Sequence, residues 1–136
     1  MERKTKMDEK QVENLLNYSE QERFDYFVRY CSDFYEVWGL VVGEDNWVIF
    51  TDKEGNEIFP LWSHKHLASI CMFDEHRKMN ASAQRISLDV FLEECVPDMK
   101  RDEVLFGVFF DLKREALVVT PELLYERVRE ELLEYE

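Results

Sequence analysis

Glycine and proline are scarce, four and three in 136 residues. With so little punctuation, and with no repeat, low-complexity tract or Ser-rich stretch, nothing marks a linker or a second domain. Long apolar runs are also missing. The longest covers residues 104–110, far short of the roughly 20 residues a membrane-spanning helix needs. The opening Met-Glu-Arg-Lys-Thr-Lys-Met is followed by no apolar segment of the kind a secretory signal requires. The expectation is a cytoplasmic chain that does not associate with membranes. Cysteine is limited to Cys31, Cys71 and Cys95, an odd and widely spaced set. It reads as reduced, buried thiols rather than a disulfide framework.

Positive charge is the other shortage. Seventeen basic residues face 30 acidic ones, a net charge of −13. A chain this acidic repels phosphate backbones unless it carries a concentrated basic patch, and none is evident, so nucleic acid is not an expected partner. The motifs of common chemistry are missing as well. There is no C-x-x-C, H-E-x-x-H, G-x-S-x-G, S-x-x-K or glycine-rich phosphate loop. His64 and His66, at i and i+2, share a face only on a strand, and they fall in the first turn of an expected helix. Cys71 lies two helical turns beyond His64, about 10 Å along the axis, too far for a hydrogen bond. No metal, cofactor or catalytic residue is expected. Carboxylate pairs such as Glu93-Glu94 read as solvated helix surface.

What remains supports a folded core. Hydrophobic residues make up 46% of the chain and aromatics 14%, too much for disorder. A single domain over residues 8–136 follows, with residues 1–7 as a tail. Asp8 caps a short helix. Ser19 and Glu22 have capping-box spacing ahead of Phe24, Phe27, Val28 and Cys31 at helical spacing. The period then changes. Residues 36–42 and 47–51 read as strands joined by a turn at residues 43–46, and residues 56–61 as a third strand. Pro60 places the end of that strand at an edge or exit. Ser63 looks like the N-cap of a helix running to about Phe73, followed by a polar loop over residues 74–81. A short strand at residues 84–86 precedes a helix capped by Ser87. Strands at residues 103–110 and 115–119 and a last helix opened by Thr120-Pro121 complete the order ααβββαβαββα. This is the α+β class: a largely antiparallel sheet of five to six strands with helices mainly on one face.

The segments Glu36-Val37-Trp38-Gly39-Leu40, Trp47-Val48-Ile49-Phe50 and Gly55-Asn56-Glu57-Ile58-Phe59-Pro60-Leu61-Trp62-Ser63-His64 resemble a family of small bacterial proteins, the domain of unknown function 2750. Ser87-Leu88-Asp89-Val90-Phe91-Leu92 and Val118-Val119-Thr120-Pro121-Glu122 are similar too, so the resemblance runs over roughly residues 18–130. Its most specific part is the Phe-Pro-Leu-Trp-Ser-His stretch. It implies one bacterial cytoplasmic domain, and it brings no activity, cofactor or catalytic residue with it.

Two functional expectations follow. Residues 31–60 carry seven acidic residues and one lysine, a balance of −6, together with Trp38 and Trp47. Acidic groups around aromatics suit a basic protein partner, so the first expectation is a non-catalytic protein- or peptide-binding domain, inhibitor- or immunity-like, using Glu44, Asp45 and Trp47. The second is a small anionic-ligand site, or a weak enzyme, at Trp62, Ser63, His64, Lys65 and His66. There, cations sit at a helix start that ordinarily favours acids. An aromatic-lined pocket at that corner favours the second reading, and a flat acidic patch the first.

Overall fold

The computed structural model describes residues 7–134. The expected tail falls outside these residues except for Met7, which packs against the core.

The first two helices form where their caps place them. Helix α1 (Glu9–Leu16) starts at Asp8, whose carboxylate accepts the Gln11 N–H at 2.8 Å. Helix α2 (Glu20–Phe34) has a reciprocal capping box: the Ser19 N–H donates to Glu22 and the Glu22 N–H donates to Ser19 Oγ. It buries Phe24, Phe27, Val28 and Cys31, at about 1.5–3 kcal/mol for each large apolar side chain. It ends at Tyr35 in the left-handed region. Strand β1 (Glu36–Val42) leaves from there.

The expected second strand over residues 47–51 divides in two. Strand β2 (Asn46–Trp47) pairs with β1, and β3 (Phe50–Thr51) pairs with β4 (Glu57–Leu61). Val48 still donates to Leu40 at 2.9 Å before the chain crosses to the other sheet. Chains that change sheets at such corners are a recurring feature of packed sheets. One sheet therefore has the order β2-β1-β5 and the other β3-β4-β6-β7. A bridge between Trp38 and Trp62 joins them.

Strand β3 meets β4 only at Glu57 and Ile58, so at Pro60 the strand has one full ladder neighbour, β6. That is where a residue without an N–H is tolerated. After β4 come α3 (Lys65–Cys71) and α4 (Asp74–Lys78). Helix α4 occupies the expected loop and buries His76. Strand β5 (Ser82–Ser87) pairs antiparallel along β1.

The next helix is interrupted. It runs as α5 (Leu88–Val90), a π-helical turn (Phe91–Cys95) and α6 (Val96–Arg101). Pro97 has no N–H for the Glu93 carbonyl and crowds it, so the wider turn sits where the α ladder would break. Strand β6 (Val104–Val108) pairs parallel with β4, the one parallel pairing among the described strands, and antiparallel with β7 (Leu117–Val119). Helix α7 (Pro121–Leu133) opens on Thr120, whose Oγ1 accepts the Leu123 N–H. It packs on α2 and on β6.

The α+β class and the mainly antiparallel pairing thus stand as the sequence indicates, spread over two small sheets rather than one. None of the described helices is long and apolar enough to cross a membrane.

Candidate functional site

Arg23 holds together the region beside an open cleft. On α2, its guanidinium donates to the carbonyls of Phe109 (2.9 Å), Tyr18 (2.6 Å) and Glu115 (2.9 Å), and it lies 3.6 Å from Asp111. This ties α2 to the β6–β7 connection. Within that connection Asp111 accepts the N–H groups of Lys113 and Glu115. Phe109 and Arg114 have φ values of 67° and 65°, a conformation that strains non-glycine residues and concentrates near working surfaces. The left-handed step at Phe109 turns Phe110 toward β3 and α4.

Four rings meet there. Phe50 from β3, Phe73 at the start of α4 and Phe110 lie with centroids 5.1–5.8 Å apart. His76 from α4 stacks on Phe73 at 5.4 Å. Gly107 makes the arrangement possible, since a Cβ there would stand 2.4 Å from the Phe110 ring. Arg114 lies over Phe73, 3.8 Å from its centroid, and makes a two-pronged pair with Glu75. These groups line an open cleft of about 610 Å³, with Lys53 and Lys113 on its rim. That is within the usual size of ligand clefts. The ring nitrogens of His76 make no hydrogen bond within the described residues. Its pKa is lowered, chiefly by burial; Glu75 opposes that shift and Arg114 adds to it. A neutral imidazole beside aromatic walls offers one donor and one acceptor to an incoming group.

The corner at residues 62–66 is built differently from the sequence expectation. Trp62 is 1% exposed and donates its indole N–H to the Phe110 carbonyl, so it lies in the core rather than walling a site. Ser63 does not cap α3. The N-cap is His64, with no side-chain cap bond, and Ser63 Oγ instead meets His64 Nδ1 at 2.8 Å. The His64 ring packs on Tyr30 at 4.0 Å, and burial pushes its pKa down to about 4 despite the nearby Glu36 carboxylate. His64 is therefore neutral near pH 7. Lys65 and His66 point to solvent while Trp62, Ser63 and His64 turn inward, so the five do not converge. Nearby, Glu36 is buried and accepts from Arg85 Nε at 2.7 Å and from the Trp38 indole at 3.1 Å.

The other expected residues lie on the β1–β2 hairpin. Glu44 and Asp45 are exposed in its turn. Trp47 is 37% exposed, with its inner side against Gly39 and the Phe59 ring. Trp38 and Trp47 thus differ: the first is half-buried beside Glu36, the second is partly offered to solvent. Trp47 pairs with Val41, three positions along β1 from the Trp38 bridge, so the two expected sites lie about 10 Å apart along the strand.

The thiols carry no sign of activation. Cys31 and Cys71 are buried and Cys95 is half-buried. Burial raises Cys31 well above its ordinary value and pushes Cys71 and Cys95 up to about 12. Among the described residues no group of His, Cys, Asp and Glu could hold a metal ion.

Sequence reading missed Phe50, Phe73, His76, Phe110 and Arg114 as a group. His76 stood in an expected loop, and no periodic or motif signal connects positions so far apart in the chain. The one local hint is the pair of turn segments at residues 52–55 and 111–114 that flank the cleft.

Fold and cleft together describe a small α+β domain with two linked sheets and an aromatic cleft at one end. Residues 24–128 match the family described as "Protein of unknown function (DUF2750)", and the chain belongs to that family. No curated protein and no solved structure gives a significant match.

Proposed function

We propose that the protein is a non-catalytic binding domain that seats an aromatic or large apolar side chain of a protein or peptide partner in the cleft of Phe50, Phe73, His76 and Phe110. The observation that carries this is the combination of three phenylalanine walls with a neutral His76 that has no hydrogen-bond partner within the described residues. Aromatic anchors entering such pockets dominate many interfaces. The rim mixes the cations Lys53 and Lys113 with the acids Glu54 and Glu115, which suits the polar backbone and flanking groups of a peptide. The non-catalytic reading draws support from thiols held protonated at neutral pH. The three unpaired cysteines suit a cytoplasmic setting.

The test is an NMR titration of the His76 ring and the Phe50 and Phe73 amides with capped tripeptides centred on Trp, Phe, Leu or Ala. The aromatic peptides should shift these signals, the Ala peptide should not, and Phe50→Ala should abolish the response. Shifts produced by free aromatic compounds but by none of the peptides would replace the partner with a small ligand. Silence toward both would refute the cleft.

The hairpin supports a second reading, that a basic protein partner docks at Glu44, Asp45 and Trp47. Glu44 and Asp45 are exposed and make no ion pair within the described residues, and they flank the partly exposed Trp47. Association through this surface should slow as salt rises. A rate indifferent to ionic strength counts against it.

A further inference from the structure

A second opening lies away from the aromatic cleft, between the end of α2, the π-helical turn and α7, with a volume of about 400 Å³. Ser32 lines it from α2. This serine is 2% exposed, and its Oγ has no hydrogen-bond partner within the described residues, the one buried side-chain oxygen or nitrogen among them in that state. A serine inside a helix ordinarily turns its hydroxyl onto the carbonyl one turn back. A buried hydroxyl left unpaired costs free energy, and such groups in folded proteins need an explanation.

The rest of the lining supplies one. Asp33, Asp89 and Glu93 bring carboxylates, and none of them makes a hydrogen bond or ion pair within the described residues. Tyr35 and Tyr125 add ring faces, and Leu88 contributes apolar surface. Three carboxylates against the single cation Arg129 leave the groove negative, within a chain of net charge −13. The π-helical turn that contributes Glu93 is a local geometry often found at functional sites. The acids do not gather into a metal-ligand set. Carboxylates spread around aromatic and apolar surface instead match an organic cation on an alkyl stem, held by charge-assisted hydrogen bonds and ring faces.

We propose that this groove binds a primary ammonium or guanidinium group, with Asp33, Asp89 and Glu93 taking the charge and Ser32 Oγ accepting a hydrogen bond from it. The inference is independent of the aromatic cleft.

The experiment titrates ¹⁵N-labelled full-length protein with spermidine, L-argininamide and a capped Ala-Arg-Ala peptide at low ionic strength, alongside a capped Ala-Glu-Ala control. At least one cationic probe should shift the amides of residues 32–35, 88–93 and 125–132, and the acidic control should not. Asp33→Asn, Asp89→Asn and Glu93→Gln, all exposed positions that leave the core untouched, should each weaken binding about tenfold. Ser32→Ala should weaken it several-fold while raising the melting temperature, because the orphaned hydroxyl is gone; a merely structural serine would give the second effect without the first. A free amine that binds as tightly as the peptide makes the ligand a small molecule, and a tighter peptide makes it a protein side chain. No shift with any cation, or affinity unchanged in the carboxylate variants, overturns the proposal.

Discussion

Replacing Arg23 tests how the cleft is held in place. The side chain is 2% exposed and its guanidinium satisfies three backbone carbonyls on two separate segments, with Asp111 at 3.6 Å. Arg23→Met keeps the bulk of the stem and removes every one of these donors. The carbonyls of Phe109 and Tyr18 lose this donor, that of Glu115 keeps the Asp111 N–H alone, and the largely buried Asp111 carboxylate loses its counter-charge. Breaking one side of a buried pair costs about 3–5 kcal/mol, a large share of the roughly 5–15 kcal/mol that holds a domain folded. The melting temperature should fall by roughly 10–20 °C. Urea denaturation of both proteins, followed by tryptophan fluorescence, measures the loss. Adding Asp111→Asn should recover part of it, because the amide oxygen can still accept from Lys113 and Glu115 while no charge is left stranded. Arg23→Lys should fall between, since an ammonium restores the charge but not the three-way fork. An Arg23→Met variant within about 1 kcal/mol of the parent would refute this account, as would an Asp111→Asn addition that destabilises it further.

Three further outcomes follow from the same packing. Gly107→Ala places a Cβ 2.4 Å from Phe110 and 2.9 Å from Ile58, so it should cost about 1–3 kcal/mol and displace the His76 ring signals; a stable variant with an unchanged His76 environment would show that the Phe110 wall is not set by this contact. His64 is held down to about pKa 4, against 6.5 for an exposed ring, so in that interval the unfolded chain binds more protons. Stability should therefore be flat with respect to this group above pH 6.5, fall as pH drops toward 4 and change no further below it; chemical denaturation across pH 4–7 should show a shallower slope for His64→Gln, and equal slopes would remove His64 as the cause. Thiol labelling of the native protein at pH 7 should be slow at Cys31 and Cys71, first detectable at half-buried Cys95, and rapid at all three in denaturant; fast native labelling of Cys31 would contradict its burial.

How much of this was legible in the sequence depends on the range over which each feature is decided. The Asp8 cap, the Ser19–Glu22 box and the Thr120–Pro121 helix start are contacts between residues three or four apart, and the structure has each of them. The stripe of Phe24, Phe27, Val28 and Cys31 is equally local, because helical spacing alone puts these residues on one face. Ser63 failed as a cap although its sequence context is similar, since its hydroxyl is drawn to the neighbouring His64 ring inside the core.

By itself, then, the sequence determined the α+β class, the helix starts after Asp8, Ser19, Ser87 and Thr120, the β1 strand and the family, all consequences of short-range patterning and composition. Tertiary structure decided the rest. The crossing at Val48 and Ile49 depends on β1 and β4 both offering ladder partners to one short segment. The parallel pairing of Ile58 with Leu105 joins residues separated by four helices, a strand and a π-helical turn. Arg23 reads as one more polar residue on a helix until Phe109, Asp111 and Glu115 fold over it. The cleft forms from Phe50, Phe73, His76 and Phe110 because the sheet corner, a five-residue helix and a left-handed step at Phe109 converge on one place. That convergence is a property of long-range packing, and no local pattern encodes it.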